Sequence, residues 1–184
     1  MMRREEALAL VRERVSKRNW LNHMLAVEGI MRGLAERFGE DVEKWGLLGL
    51  LHDVDFEETE DTPERHGLKA EEILRGKVSE DVVKAIKAHN HEYTGVKPES
   101  RMEKALIAAD AVSGLIVASA LVMPSKKVGE VTVNTLLKKF KQKDFARGVD
   151  RSRIRVHEEI NLSSEEFFEI ALNSLKKIGA SIGL

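Results

Sequence analysis

Leu47-Leu48-Gly49-Leu50-Leu51-His52-Asp53-Val54-Asp55 is an apolar run that ends in an adjacent His-Asp pair. Acidic residues follow at once, at Asp55, Glu57, Glu58, Glu60 and Asp61. A buried run normally ends in a cap or a turn. This one ends in two groups that are costly to bury without partners, so the partners must come from elsewhere in the chain.

Outward from this run the chain reads as helices. Residues 4–16 place Ala7, Leu8, Leu10, Val11 and Val15 at helical spacing. A second helix spans Trp20 to Phe38, with Gly39 as its stop. The third, from Asp41 to His52, has Asp41 as its cap. Thr62-Pro63-Glu64 opens a fourth that ends near Gly76, and Ser79 caps a fifth. Tyr93 to Pro98 reads as a loop. Ser100-Arg101-Met102-Glu103 is a capping box that opens a long apolar helix closed by Pro124. Val131 to Phe140 reads as helical, with Val131-Thr132-Val133 also compatible with an extended strand, and an irregular basic region follows. Ser163-Ser164-Glu165-Glu166 is a second capping box, starting a last helix that stops near Gly179. No strand alternation, internal repeat or long linker interrupts the pattern. The expectation is an all-α helical bundle, one domain over residues 1–184.

Composition narrows the function classes. The chain is 42% hydrophobic and 33% charged over 184 residues, enough to bury a core and too apolar for disorder. A net charge of −1 gives no global field for nucleic acid or an anionic membrane. The stretch Lys126 to Arg155 is nevertheless basic. With aromatics at 5%, base stacking is poorly served, which argues further against nucleic acid. The absence of cysteine excludes disulfides and thiolate metal sites and fits a reducing cytoplasm. The N-terminal Met1-Met2-Arg3-Arg4-Glu5-Glu6 carries no apolar leader, so a cytoplasmic location is expected. Ala105 to Met123 approaches the length of a membrane span but contains Asp110 and lacks flanking aromatics. It is expected to be a buried central helix rather than an anchor.

The partners of the His-Asp pair come from helical faces. His23 shares a face with Val27, Ile30 and Met31, and Asp110 shares one with Leu106, Ile107, Ser113, Gly114 and Val117. His66 lies in a stripe with Ala70, Ile73 and Leu74, and His89 in one with Val82, Ala85 and Ile86. His91 fails the same test, and His157, outside the group, reads as structural. A single inward histidine is commonly a core residue bonded to a carbonyl, and an arginine could hold Asp110. Several such groups converging from separate helices instead point to a metal site between facing helices. Imidazoles with carboxylates suit Mn, Fe, Zn, Ni or Mg. His23, His52, Asp53 and Asp110 suffice for one ion; with His66 and His89 there are ligands for two, bridged by Asp53.

The order His23, His52-Asp53, His66, His89, Asp110 resembles the HD-domain superfamily of metal-dependent phosphohydrolases. Leu50-Leu51-His52-Asp53-Val54-Asp55 is similar to the family's apolar-His-Asp core. His66-Gly67-Leu68-Lys69-Ala70-Glu71-Glu72-Ile73-Leu74 is similar to its following His helix, and Ala108-Ala109-Asp110-Ala111 to its closing Asp. The likeness covers about residues 19–118, followed by a basic helical extension over 124–184, and the whole chain resembles a group of stand-alone HD hydrolases. It implies an HD-type bundle and water attack on a phosphomonoester or phosphodiester, with a nucleotide or other small phosphorylated metabolite as substrate. Two departures stand out. His89-Asn90-His91 replaces the His-His of many two-metal members, which leaves open the number of ions and which of the two histidines serves. Tyr93-Thr94-Gly95 does not match the Gly-Tyr-Pro signature of cyclic-dinucleotide phosphodiesterases.

Within that chemistry Asp53 would bridge ions or orient the nucleophile, and Glu57 or Glu58 would act as acid or base. Lys126, Lys127 and Arg18 are the candidates for binding substrate phosphate. A metal-containing nucleotide-binding or sensor domain with little turnover is the alternative, and a homo-oligomer is compatible with everything above.

Overall fold

Helical periodicity sets the elements of this chain, and a few local devices set their ends. A computed structural model describes residues 2–184; Met1, the first residue of the stretch read as lacking a leader, lies outside them. The helices are α1 (Arg4–Arg14), α2 (Arg18–Phe38), α3 (Val42–Leu51), α4 (Phe56–Thr59), α5 (Leu68–Leu74), α6 (Glu80–His89), α7 (His91–Thr94), α8 (Arg101–Leu121), α9 (Val133–Lys141), α10 (Arg151–Arg155) and α11 (Ser164–Ile182). Short 3-10 turns lie at Pro63–Arg65, Val128–Glu130 and Val156–Ile160, and no strand occurs among the described residues. The protein is all-α, as expected.

Two caps act as read: Asp41 accepts from the Lys44 amide at 3.0 Å, and Ser100 and Glu103 close a full capping box. Ser163 accepts from Glu166 N without the reciprocal half of a box, and Ser79 precedes α6 but makes no side-chain cap bond, its hydroxyl donating to Asp81 instead. Four boundaries differ from the sequence reading, each for a visible reason. The helix opened by Pro63 is only a single turn, because Gly67 at φ 86 breaks it from α5. That break lets the amides of Gly67 and Ala70 both donate to the buried carboxylate of Asp55. Tyr93 falls in α7, which Gly95 ends in the left-handed conformation, rather than in a loop. Val131 and Thr132 are extended only long enough for Thr132 to cap α9. Finally, α11 runs through Gly179, which is buried against Val128, and stops instead at Gly183.

Burial of the apolar stripes makes α2 the centre of the stack. It packs most extensively on α3, then on α11 and α8. The approach of α3 to α2 depends on Gly49: a Cβ there would lie 2.8 Å from Glu28 Cα and from the Val27 carbonyl oxygen. Glu28, buried beneath this contact, is neutralised by Arg4 and Arg32. Helix α8 is the one helix among the described residues long and apolar enough to cross a membrane. In this fold 61% of its most apolar window is buried, and it serves as a core helix carrying Asp110. The C-terminal part returns to this core, with α10 packing on α8 and α11 on α2. Between α9 and α10, the Arg151 guanidinium donates to the carbonyls of Gln142, Phe145, Ala146 and Val149, tying the connecting loop into one piece.

Candidate metal centre

Five segments deliver the polar cluster. Helix α2 supplies His23, the end of α3 supplies His52 and then Asp53, and the turn before α5 supplies His66. The last residue of α6 is His89, and the middle of α8 carries Asp110. Asp53 sits at the centre. Its Oδ2 lies 3.6 Å from His23 Nε2 and 3.3 Å from His52 Nε2. Its Oδ1 lies 3.3 Å from His66 Nε2 and 3.4 Å from His89 Nε2. Asp110 Oδ1 is 3.2 Å from His23 Nε2 and 3.9 Å from His52 Nε2. The ligand atoms thus form two groups, His23 and His52 with Asp53, and His66 and His89 with Asp53, each compact enough to hold an ion.

The outer nitrogens fix the orientation of all four rings. His52 Nδ1 bonds the Gly49 carbonyl at 2.8 Å, and His89 Nδ1 bonds the Ile86 carbonyl. His66 Nδ1 is held by the Asp55 carboxylate at 3.0 Å, and His23 Nδ1 by Ser113 Oγ at 3.1 Å. Carbonyl and carboxylate oxygens accept only, so in His52, His66 and His89 the Nδ1 carries a proton, and a ring that is neutral turns the lone pair of Nε2 inward. Two consequences follow. His52 Nε2 is buried without a hydrogen-bond partner, and the Nε2 atoms of His66 and His89 face each other at 3.0 Å. Facing lone pairs at that distance require a proton or a cation between them. An orphaned ring nitrogen, a pair of opposed ones and a shared carboxylate fit divalent ions.

The titration pattern agrees. Burial opposes a charged Asp53, but the imidazoles, His52 foremost, hold its carboxyl well below the ordinary value. Asp110 is likewise lowered despite burial, chiefly by His23. Burial works against a protonated His66, yet hydrogen bonds to Asp53 and Asp55 outweigh it and push the pKa up to about 10. Burial also opposes charge on His52, where Asp53 prevails and raises it. Burial prevails at His89, whose pKa is lowered. Both carboxylates are therefore anionic at neutral pH, and a proton on His66 occupies the gap that a cation would take.

The cluster forms the floor of an open cleft of about 320 Å³, also lined by Trp20, Phe56, Asn90 and Arg153. Trp20 and Phe56 meet edge to face at 5.0 Å, and Phe56 meets His66 in the same way at 5.6 Å. Asn90 donates to the carbonyls of Pro63 and His66, pinning the His66 turn. Arg153 donates through Nη2 to the His89 carbonyl at 2.7 Å and to Asp110 Oδ2 at 3.3 Å.

All six metal-type residues singled out from the sequence are brought together. The other candidates are not. Glu57 turns to the junction of α1 and α2, where it accepts from the backbone amide and hydroxyl of Ser16. Arg18 is exposed at the start of α2, and Lys126 and Lys127 are exposed beyond the far end of α8; none of the four lines the cleft. Eleven helical residues separate Asp110 from the end of α8, roughly 16 Å at 1.5 Å per residue. His89 rather than His91 joins Asp53, and His157 is buried elsewhere, bonded to the Leu162 carbonyl and stacked on Phe167. Residue-by-residue reading missed Asp55 as the support of His66. Its only signal was its place two residues after Asp53, hidden in a run of acids. Arg153 was one basic residue among many, and Trp20, Phe56 and Asn90 carried no signal of their own.

Comparison with known proteins bears on this geometry. A family model described as the HD domain matches residues 20–115, a segment that contains all six residues of the cluster and ends before Arg153. Ribonuclease Y of Lawsonia intracellularis (strain PHE/MN1-00) is 32% identical over 97 residues, 52% of this chain. The matched stretch is 18% of that relative's own length. No solved structure matches the chain.

Proposed function

The chain belongs to the HD domain family, and we propose on that basis that it is a metal-dependent phosphohydrolase acting on a phosphomonoester or phosphodiester. The observation that carries this reading is Asp53, whose two carboxylate oxygens face two separate histidine pairs at the floor of an open cleft. His23, His52, Asp53 and Asp110 would hold one ion, and Asp53, His66 and His89 a second. Four imidazoles with two carboxylates favour a borderline transition metal such as Mn, Fe, Zn or Ni over Mg. When bound, such ions lower the pKa of water and neutralise charge on phosphoryl oxygens.

The chain's own residues supply position and charge. The Nδ1 contacts to Gly49, Ile86, Asp55 and Ser113 keep the four rings aimed at the centre without rearrangement. Asp53, held anionic, can accept a hydrogen bond from the attacking water and orient it toward phosphorus. Trp20 and Phe56 form an apolar wall against which the non-reacting part of a small substrate can rest. A cleft of about 320 Å³, at the small end for ligand pockets, favours a nucleotide or similar small phosphorylated metabolite as substrate. The relative's name, a ribonuclease, supports including phosphodiesters among the candidates.

Metal analysis of the purified protein, together with a panel of generic phosphoesters and nucleotides, tests the proposal. Bound transition metal and turnover, both lost in Asp53→Ala, are expected. Full activity in that variant or in metal-stripped protein would refute the mechanism. Nucleotide binding without product release would replace the enzyme with a sensor domain.

A further inference from the structure

We propose that Arg153 is the phosphate anchor of the cleft, a substrate-binding group supplied by the C-terminal part of the chain and not by the matched HD segment. This rests on the phosphohydrolase reading and adds to it the residue that captures the anion. Ions at the cleft floor would meet only the phosphoryl oxygens turned toward them. A donor for the remaining oxygens has to come from the wall, and Arg153 is the one Lys or Arg lining the cleft among the described residues.

Its guanidinium is held at one end and available at the other. Nη2 makes both protein contacts, to the His89 carbonyl and to Asp110 Oδ2. Nε and Nη1 make no hydrogen bond or ion pair among the described residues, and the side chain is 22% exposed. The paired arginines elsewhere are used up differently. Arg4 and Arg32 both grip carboxylates through a fork, and Arg151 is consumed by four carbonyls. Each two-pronged face of a guanidinium includes Nη2, which is committed here, so Nε–H and the Nη1 hydrogens are left to donate singly, as charge-assisted bonds, to the oxygens of a phosphoryl group.

The surroundings keep those donors in place. Asp150 caps α10 by accepting from Ser152 N and Arg153 N, Arg151 stiffens the preceding loop, and α10 packs on α8, the helix that carries Asp110. Arg153 is thereby tied to the cluster through both its backbone and Nη2. It requires little further ordering to receive an anion, which favours binding.

Calorimetric titration of the metal-loaded protein with inorganic phosphate tests this, alongside metal content and KM and kcat for a generic phosphomonoester. In Arg153→Gln, metal content should match the parent while phosphate affinity falls and KM rises about tenfold to a hundredfold. Arg153→Lys should recover the charge but only part of the affinity, because a flexible ammonium cannot hold the His89 carbonyl and Asp110 while donating to the anion from fixed planar positions. Arg155→Ala serves as the control, since Arg155, on the same helix as Arg153, turns away to Phe140 of α9 and to Glu158; it should behave as the parent. Parent-like phosphate affinity and KM in Arg153→Gln, with turnover intact, would overturn the anchor and leave the hydrolase reading standing. Loss of metal in both Arg153 variants would overturn it too, by making Arg153 a prop for Asp110. A parent that binds metal but neither binds phosphate nor turns over any ester would remove the hydrolase reading and the anchor together.

Discussion

Replacing Gly49 with alanine should damage the metal centre without touching a ligand. The new Cβ would meet Glu28 Cα and the Val27 oxygen at 2.8 Å and Glu28 N at 2.9 Å. These are backbone atoms of α2, so no side chain can swing aside. Ordinary contact begins at 3.4 Å, so α2 and α3 must separate by roughly 0.6 Å, comparable to the ~0.5 Å tolerance of a preorganised site. His23 rides on α2, whereas His52 is bonded to the Gly49 carbonyl itself, so the separation pulls the two rings apart. Overpacking of this kind costs about 2–3 kcal/mol, equivalent to a fall in melting temperature of roughly 4–12 °C for a chain of this size. Thermal denaturation of the metal-free protein reads the packing cost, and calorimetric titration with zinc or manganese reads the geometric one. Gly129→Ala is the comparison: nothing lies within 4 Å of its Cβ position and its φ is not positive. It should be neutral or gain up to about 1 kcal/mol. A Gly49→Ala protein that melts and binds metal like the parent would refute the argument that α2–α3 contact sets the His23–His52 spacing.

Two further outcomes follow from buried carboxylates. Asp55→Asn keeps the volume but turns an amide toward the Gly67 and Ala70 donors and loosens His66 Nδ1. A loss of about 3 kcal/mol in urea denaturation and weakened binding at the His66–His89 pair are expected; parent stability would refute it. At Glu103 burial raises the pKa, but the amides of Glu99 and Ser100 and the charge of Lys84 outweigh this and lower it below the ordinary 4.5. A lowered folded-state pKa means the stabilisation is fully present above about 4.5 and is lost as pH falls through the folded value. The melting-temperature gap between the parent and Glu103→Gln should therefore close as pH drops from 6 toward 3, and a gap independent of pH would refute the assignment.

The metal-type residues were legible in the sequence because helical periodicity places side chains on faces before any tertiary contact is known. His23, His89 and Asp110 each share a helical stripe with apolar residues that must be buried, so burial alone aims them inward; His66 lies outside α5, and its contacts to Asp55 and Asn90 aim it instead. The all-α fold followed from the same periodicity and from caps such as Asp41 and Ser100, which act within one turn. Proximity between distant segments has no such local code. Lys126 and Lys127 looked suitable as phosphate ligands because they follow the helix of Asp110, but the length of α8 carries them to its far end. Glu57 looked catalytic because it follows His52-Asp53, but the turn into α4 delivers it to Ser16. Asp55, two residues from Asp53, points instead into the amides of the α5 turn, which only the break at Gly67 exposes. Arg153 reaches the cleft because α10 packs back on α8 and a loop tied by Arg151 fixes its approach. The sequence by itself determined which faces are buried and which of their polar groups must meet there. The tertiary structure alone decided which charged surface residues share that cleft, because solvent accommodates a lysine or arginine almost anywhere and only packing brings one to a particular place.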